Sequence, residues 1–122
     1  MTRPVALVIE DDPDLSTVFA EAVQAAGYAS ETILTGDEAL KRLEGPAPFL
    51  MVLDLHLPGV TGHVILDFLH AHPHLANVHV IVASADDRSA QELHGKVALI
   101  LLKPISFVQL RDMVARFLPK DS

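Results

Sequence analysis

The sequence predicts an α/β fold in which a parallel five-stranded sheet lies between helices, and three observations carry that reading. Five short apolar runs alternate with longer stretches of helical period, the pattern of consecutive βαβ units. The runs are almost continuously apolar, as strands covered on both faces must be. Chemically capable side chains fall at the ends of four of the five runs: Glu10-Asp11-Asp12, Asp54, Ser84 and Lys103. Right-handed crossovers bring the ends of parallel strands to one edge of a sheet, where open α/β folds bind ligands.

Taken in order, the first strand is read at Val5–Ile9. Asp12 is then the N-cap of a helix whose first position is Pro13, a place that suits proline. Leu15, Val18, Phe19, Ala22, Val23 and Ala26 line one face of that helix, and Gly27 stops it. The second strand is expected at Ala29–Leu34, before a helix Gly36–Leu43 capped by Asp37 or Thr35. The third, Phe49–Leu53, leads to a helix Thr61–His70 with Thr61 as cap. The fourth, Val78–Ala83, leads to a helix Asp87–His94 capped by Asp86 or Asp87. The fifth, Ala98–Leu102, is followed by a helix Ser106–Leu118 with Ser106 as cap.

A chain of 122 residues, half of them hydrophobic and a fifth charged, has the size of one domain with a core of its own. The absence of cysteine removes disulfide frameworks, thiolate metal sites and thiol nucleophiles. A net charge of −7 gives no electropositive footprint for nucleic acid or anionic lipid. The start Met-Thr-Arg-Pro lacks the apolar core of a secretory signal, and runs such as Val97–Leu102 are far shorter than the ~20 residues of a membrane span. A cytoplasmic protein without membrane or direct nucleic-acid contact is expected.

With Asp12 spent on the helix cap, Glu10 and Asp11 face the cleft beside Asp54. Unit charges ~4 Å apart repel by ~4 kcal/mol at the effective dielectric of a protein surface, so three carboxylates call for a cation. An all-oxygen set suits Mg²⁺, with Mn²⁺ as a substitute. A carboxylate beside a divalent ion, an ammonium and a hydroxyl is equipped to attack phosphorus. Asp54 is the nucleophile in this reading, Lys103 offsets charge on the transferred group, Ser84 donates a hydrogen bond to it, and the product is an acyl phosphate. Pro104 after Lys103 marks a candidate cis peptide.

At Leu7-Val8-Ile9-Glu10-Asp11-Asp12, Val52-Leu53-Asp54-Leu55-His56-Leu57-Pro58-Gly59, Val82-Ala83-Ser84-Ala85 and Leu102-Lys103-Pro104, the chain resembles the receiver domain of two-component response regulators. The resemblance covers essentially residues 1–122 as one domain. It implies a flavodoxin-like (βα)5 three-layer sandwich with strand order 2-1-3-4-5. It implies that Asp54 accepts a phosphoryl group from a histidine kinase or phosphotransfer protein. Mg²⁺ would be held by Glu10, Asp11, Asp54 and the main-chain carbonyl of His56, with Ser84 as switch hydroxyl and Lys103 as phosphate-pairing lysine. Such a domain is a phosphorelay switch and not an enzyme, catalysing only its own phosphorylation and dephosphorylation. Its face of helix four, strand five and helix five would carry self-association or a downstream protein.

Departures from the pattern also carry expectations. Ile100 occupies the place where many receivers have a rotating Tyr or Phe, which removes an aromatic switch, and Thr61 stands where an acid or amide often caps helix three. His56 and Asp86, each two residues beyond a core residue, are expected to tune the lifetime of the aspartyl phosphate. The seven histidines read as surface groups, since nothing fixes four of them around a transition metal. A haloacid-dehalogenase-type phosphatase would need a second Asp at the place of His56. A receiver-fold adaptor that works without phosphorylation is the alternative that Ile100 keeps open. A stand-alone receiver would act through protein contacts, whereas a receiver from a larger regulator would act through an effector domain beyond helix five.

Overall fold

The computed structural model describes residues 2–119. Five parallel strands, β1 (Val5–Ile9), β2 (Ala29–Ile33), β3 (Leu50–Asp54), β4 (His79–Ser84) and β5 (Leu99–Leu102), form one sheet in the order β2-β1-β3-β4-β5. The helices are α1 (Pro13–Ala26), α2 (Gly36–Leu43), α3 (Gly62–Ala71), α4 (Asp87–Gln91) and α5 (Phe107–Ala115), with a 3-10 turn at Pro73–Leu75. This is the expected flavodoxin-like sandwich.

Strand side chains alternate between two cores, because successive residues of a strand point to opposite faces. Leu7, Ile9, Leu53 and Val82 join Ile65 and Leu66 of α3 and Leu43 of α2 on one face. Ala6, Val8, Val52 and Ile81 join Phe19 and Val23 of α1 and Leu110 and Val114 of α5 on the other. The register aligns the strand ends: Ile9 pairs with Leu53, Asp54 with Ala83, and Ser84 with Leu102. The site residues therefore come to one edge as a consequence of backbone pairing.

Four helix caps form as side-chain chemistry requires. Asp12 Oδ1 accepts the amides of Asp14 and Leu15 at 2.9 and 3.3 Å. Thr35, rather than Asp37, caps α2 by accepting the Glu38 amide at 3.2 Å. Asp86, rather than Asp87, accepts the Arg88 amide, and Ser106 accepts the Gln109 amide, both at 3.0 Å. Thr61 is a correction. It occupies the cap position of α3 with an extended backbone, but its side chain makes no cap bond. The first amide of that helix, on Gly62, donates instead to the Leu55 carbonyl at 3.2 Å.

Element bounds differ from the expected ones in ways hydrogen bonding explains. β3 and β4 begin one residue later and run one residue further, so Asp54 and Ser84 are the last residues of their strands. The Asp54–Ala83 pairing and the Leu55 amide on the Ala83 carbonyl, at 3.2 Å, carry the ladder that far. Helix α4 ends at Gln91 instead of His94, since Leu93, His94 and Lys96 bond three residues back, to Ala90, Gln91 and Leu93. The same tightening at Arg116, Phe117 and Leu118 ends α5 at Ala115 instead of Leu118. The Lys103–Pro104 peptide is cis.

Candidate functional site

Glu10 follows β1 and is 1% exposed, as deeply buried as the core around it. Its amide donates to the Ile33 carbonyl at 3.1 Å, which fixes the end of β1 against β2. Asp54 is also buried, while Asp11 beside them is exposed. One oxygen from each of Glu10, Asp11 and Asp54 lies within 4.8 Å of the other two. Among the described residues this is the one cluster of three or more His, Asp or Glu so arranged. The expected carboxylate trio thus converges.

The Lys103 amine reaches into this cluster from the end of β5, 2.8 Å from Glu10 Oε1 and 3.5 Å from Asp54 Oδ2. The other oxygens are also engaged. Glu10 Oε2 accepts the Asp12 amide at 3.4 Å, and Asp54 Oδ1 accepts the His56 amide at 3.0 Å. Burial pushes the Glu10 carboxyl up to about 7; the Lys103 hydrogen bond pulls it down and neighbouring Asp54 pushes it up. Burial also works against the Lys103 charge, but the bond to Glu10 and the two carboxylates outweigh it and hold the ammonium above its ordinary value. One lysine against three carboxylates leaves negative charge in a largely buried place, and an oxygen-only donor set matches a hard divalent cation.

Ser84 is fully buried, and its hydroxyl is already committed. It accepts the Asp86 amide at 3.0 Å and donates to the Asp86 carbonyl at 3.1 Å. Helping a group bound at Asp54, as the sequence reading expects, therefore requires the hydroxyl to leave that turn. The His56 ring is exposed, and the Asp86 carboxylate serves the start of α4. Ile100, at the place of the rotating aromatic of many receivers, is half-buried and packs against the α2–α3 core.

Two histidines, His72 and His79, are partly buried and depart from the surface reading, while exposed His74 is tied to the main chain. His72 stacks on Phe68 at 3.9 Å, its Nδ1 2.7 Å from the Phe68 carbonyl. His79 lies between Phe49 and Phe117, at 4.9 and 5.2 Å. His74 Nε2 is 3.0 Å from the Leu43 carbonyl, which closes the end of α2. The His72 and His79 rings pack against aromatic side chains at the end of the sheet opposite the carboxylates, roles that sequence spacing does not announce.

The response regulator receiver domain family matches residues 6–115. The chain belongs to that family. The receiver is 31% identical over 118 residues to the phosphate regulon transcriptional regulatory protein PhoB of Rhizobium meliloti (strain 1021), a match covering 94% of this chain and 52% of the relative. It therefore spans about half of that relative's length. The receiver domain of a putative LuxO repressor protein from Vibrio parahaemolyticus superimposes with a TM-score of 0.84 at 30% identity, over 94% of this chain and 89% of that one. The chemotaxis response regulator CheY4 of Vibrio cholerae gives 0.85 at 21% identity, over 96% and 100%, a likeness of fold. Among the described residues, no helix of the receiver is long and apolar enough to cross a membrane.

Proposed function

We propose that this receiver takes a phosphoryl group on Asp54 from a histidine kinase or phosphotransfer protein, in a reaction that needs Mg²⁺ or Mn²⁺, and thereby changes its protein contacts. The observation that carries the reading is the convergence of the Glu10, Asp11 and Asp54 carboxylates with the Lys103 ammonium. The cation, held by the three carboxylates and the His56 main-chain carbonyl, would supply charge neutralisation at the phosphoryl oxygens.

This chain's own residues do the rest. A carboxylate oxygen of Asp54 forms a bond to phosphorus as the bond from phosphorus to the donor's imidazole nitrogen breaks, and the imidazole leaves with a proton from solvent. Lys103 lies 3.5 Å from Asp54 Oδ2 and pairs with the added charge. The His56 amide fixes the other oxygen and so orients the nucleophile. Ser84 leaves the Asp86 turn and donates to a phosphoryl oxygen, which alters the start of α4. With Ile100 in place of an aromatic, the change passes through this turn and through β5 and α5 to a downstream protein or a second copy. Hydrolysis returns Asp54, with His56 and Asp86 setting its rate. The domain is a switch that acts catalytically only on itself.

Incubation with acetyl phosphate and Mg²⁺ followed by intact mass measurement tests this. Wild type should gain one phosphoryl group and Asp54→Asn none, and His56→Asn or Asp86→Ala should change the decay rate of the adduct severalfold. A wild type that stays unmodified supports the phosphorylation-independent adaptor instead.

A further inference from the structure

We propose that Gly36, in the first turn of α2, is a positioning residue for the cation site. It acts through Val60 on the loop that follows the phosphoacceptor. The inference rests on the cation-binding reading of Glu10, Asp11 and Asp54, and it concerns a residue that offers no ligand of its own.

Residues 55–61 connect β3 to α3 and carry the His56 amide and carbonyl next to Asp54. The loop is fastened at both ends. At its start the Leu55 amide donates to the Ala83 carbonyl and the His56 amide to Asp54 Oδ1. At its end the Gly62 amide donates back to the Leu55 carbonyl. Leu55 and Leu57 are buried on either side of exposed His56, so the main chain at His56 is held by its neighbours rather than by its own side chain.

Two glycines press on this loop from two helices. A Cβ added to Gly62 would stand 2.8 Å from Leu55 Cα and 2.9 Å from the Asp54 carbonyl oxygen. A Cβ added to Gly36 would stand 2.6 Å from Val60 Cβ and closer still to the Val60 carbonyl oxygen. These neighbours are backbone or next to it, so a methyl group cannot be accommodated by a flexible side-chain tip. Gly62 belongs to the helix that the loop enters, and its closeness is part of the connection. Gly36 belongs to another element, and nothing in the chain's local course requires α2 to touch the loop. The buried Gly36 is thus a platform on which Val60 rests, and α2 is a third support for the segment beside Asp54. Val60 lies two residues before Gly62, at the fastened end of the loop, so a shift of Val60 would load the segment beside Asp54. Supports of this kind outside the ligand set tune metal affinity.

The test is Mg²⁺ and Mn²⁺ affinity of the otherwise intact protein, by calorimetry and by the resonance of free Mn²⁺. Gly36→Ala should bind both ions three- to tenfold more weakly than wild type. Leu43→Ala, at the far end of the same helix, should lower the melting temperature in chelator while leaving both affinities unchanged. Val60→Gly, which removes the resting side chain without adding bulk, should also weaken both ions at least threefold, and it decides the matter if Gly36→Ala does not fold. Unchanged affinity in Gly36→Ala, or in Val60→Gly where that variant decides, overturns the inference. A wild type that binds neither ion overturns the reading of the site itself, a separate result.

Discussion

At the scale of single residues, Glu10 is a carboxyl held in the core at an energetic cost. Its carboxyl is buried beside Asp54 and is pushed up to about 7, with Lys103 only partly offsetting burial. A carboxyl raised in the folded state holds a proton that the unfolded chain has already lost, so its contribution to stability is full below about pH 4.5 and falls as pH rises through 7. At ~1.4 kcal/mol per pH unit the upper limit of that loss is ~3 kcal/mol. In chelator the melting temperature should therefore drop by several degrees between pH 5.5 and pH 8. In Glu10→Gln, which cannot ionise, the drop should shrink or vanish. An equal drop in both proteins, read by circular dichroism, would show that other groups set the pH dependence. The strain at this position was visible in the sequence only as three acids in a row. The α1 cap accounts for Asp12, but that Glu10 is buried and Asp11 exposed is seen only in the fold.

At the scale of elements, what the sequence disclosed and what it concealed divide along a physical line. Strand identity follows from apolar runs, and helix starts follow from side chains that accept amides, as at Asp12, Thr35, Asp86 and Ser106. Helix ends at Gln91 and Ala115 were hidden because they depend on main-chain bonds tightening from four residues to three, which leaves no side-chain mark. The site residues were legible for the same reason as the strands, since each terminates an apolar run. The Ser84 turn and the Val60 contact with Gly36 were not, because they are relations between segments far apart in sequence. Tyr28 is a further case. It follows the Gly27 stop of α1, is fully buried, and donates to the Val114 carbonyl of α5 at 2.8 Å. That bond joins α1 to α5 over 86 residues of chain. Removing it leaves a buried carbonyl with one partner fewer, a loss of ~1 kcal/mol. Tyr28→Phe should melt a few degrees lower while phosphorylating at the wild-type rate. An unchanged melting temperature would mean that packing alone fastens the two helices.

For the molecule as a whole, the two edges of the sheet are treated differently. The outer edge at β2 reads Ala-Ser-Glu-Thr-Ile, and its Glu31 is tied to Arg42 of α2 at 2.6 Å. Charged and paired groups of this kind discourage strand-edge association. The β5 edge reads Leu-Ile-Leu-Leu, and Leu102 at 48% and Val108 of α5 at 51% are among the most exposed large apolar side chains. Charge is distributed the same way. Residues 1–45 hold nine acidic and three basic residues, a net of −6, whereas residues 46–122 hold seven and six, a net of −1. Two copies approaching through the α1–α2 half would repel, but the β5–α5 half meets little opposition. The proposed self-association is therefore expected on the β5–α5 side. A dependence on phosphorylation would come through Lys103, which follows β5 and lies 3.5 Å from Asp54 Oδ2. In acetyl phosphate and Mg²⁺, light scattering should give a larger mass for wild type than for Asp54→Asn. Leu102→Glu with Val108→Glu should return the phosphorylated protein to the monomer without lowering its phosphoryl content. Association that survives both substitutions would move the interface elsewhere, and a phosphorylated wild type that stays monomeric would leave this apolar side to a different protein.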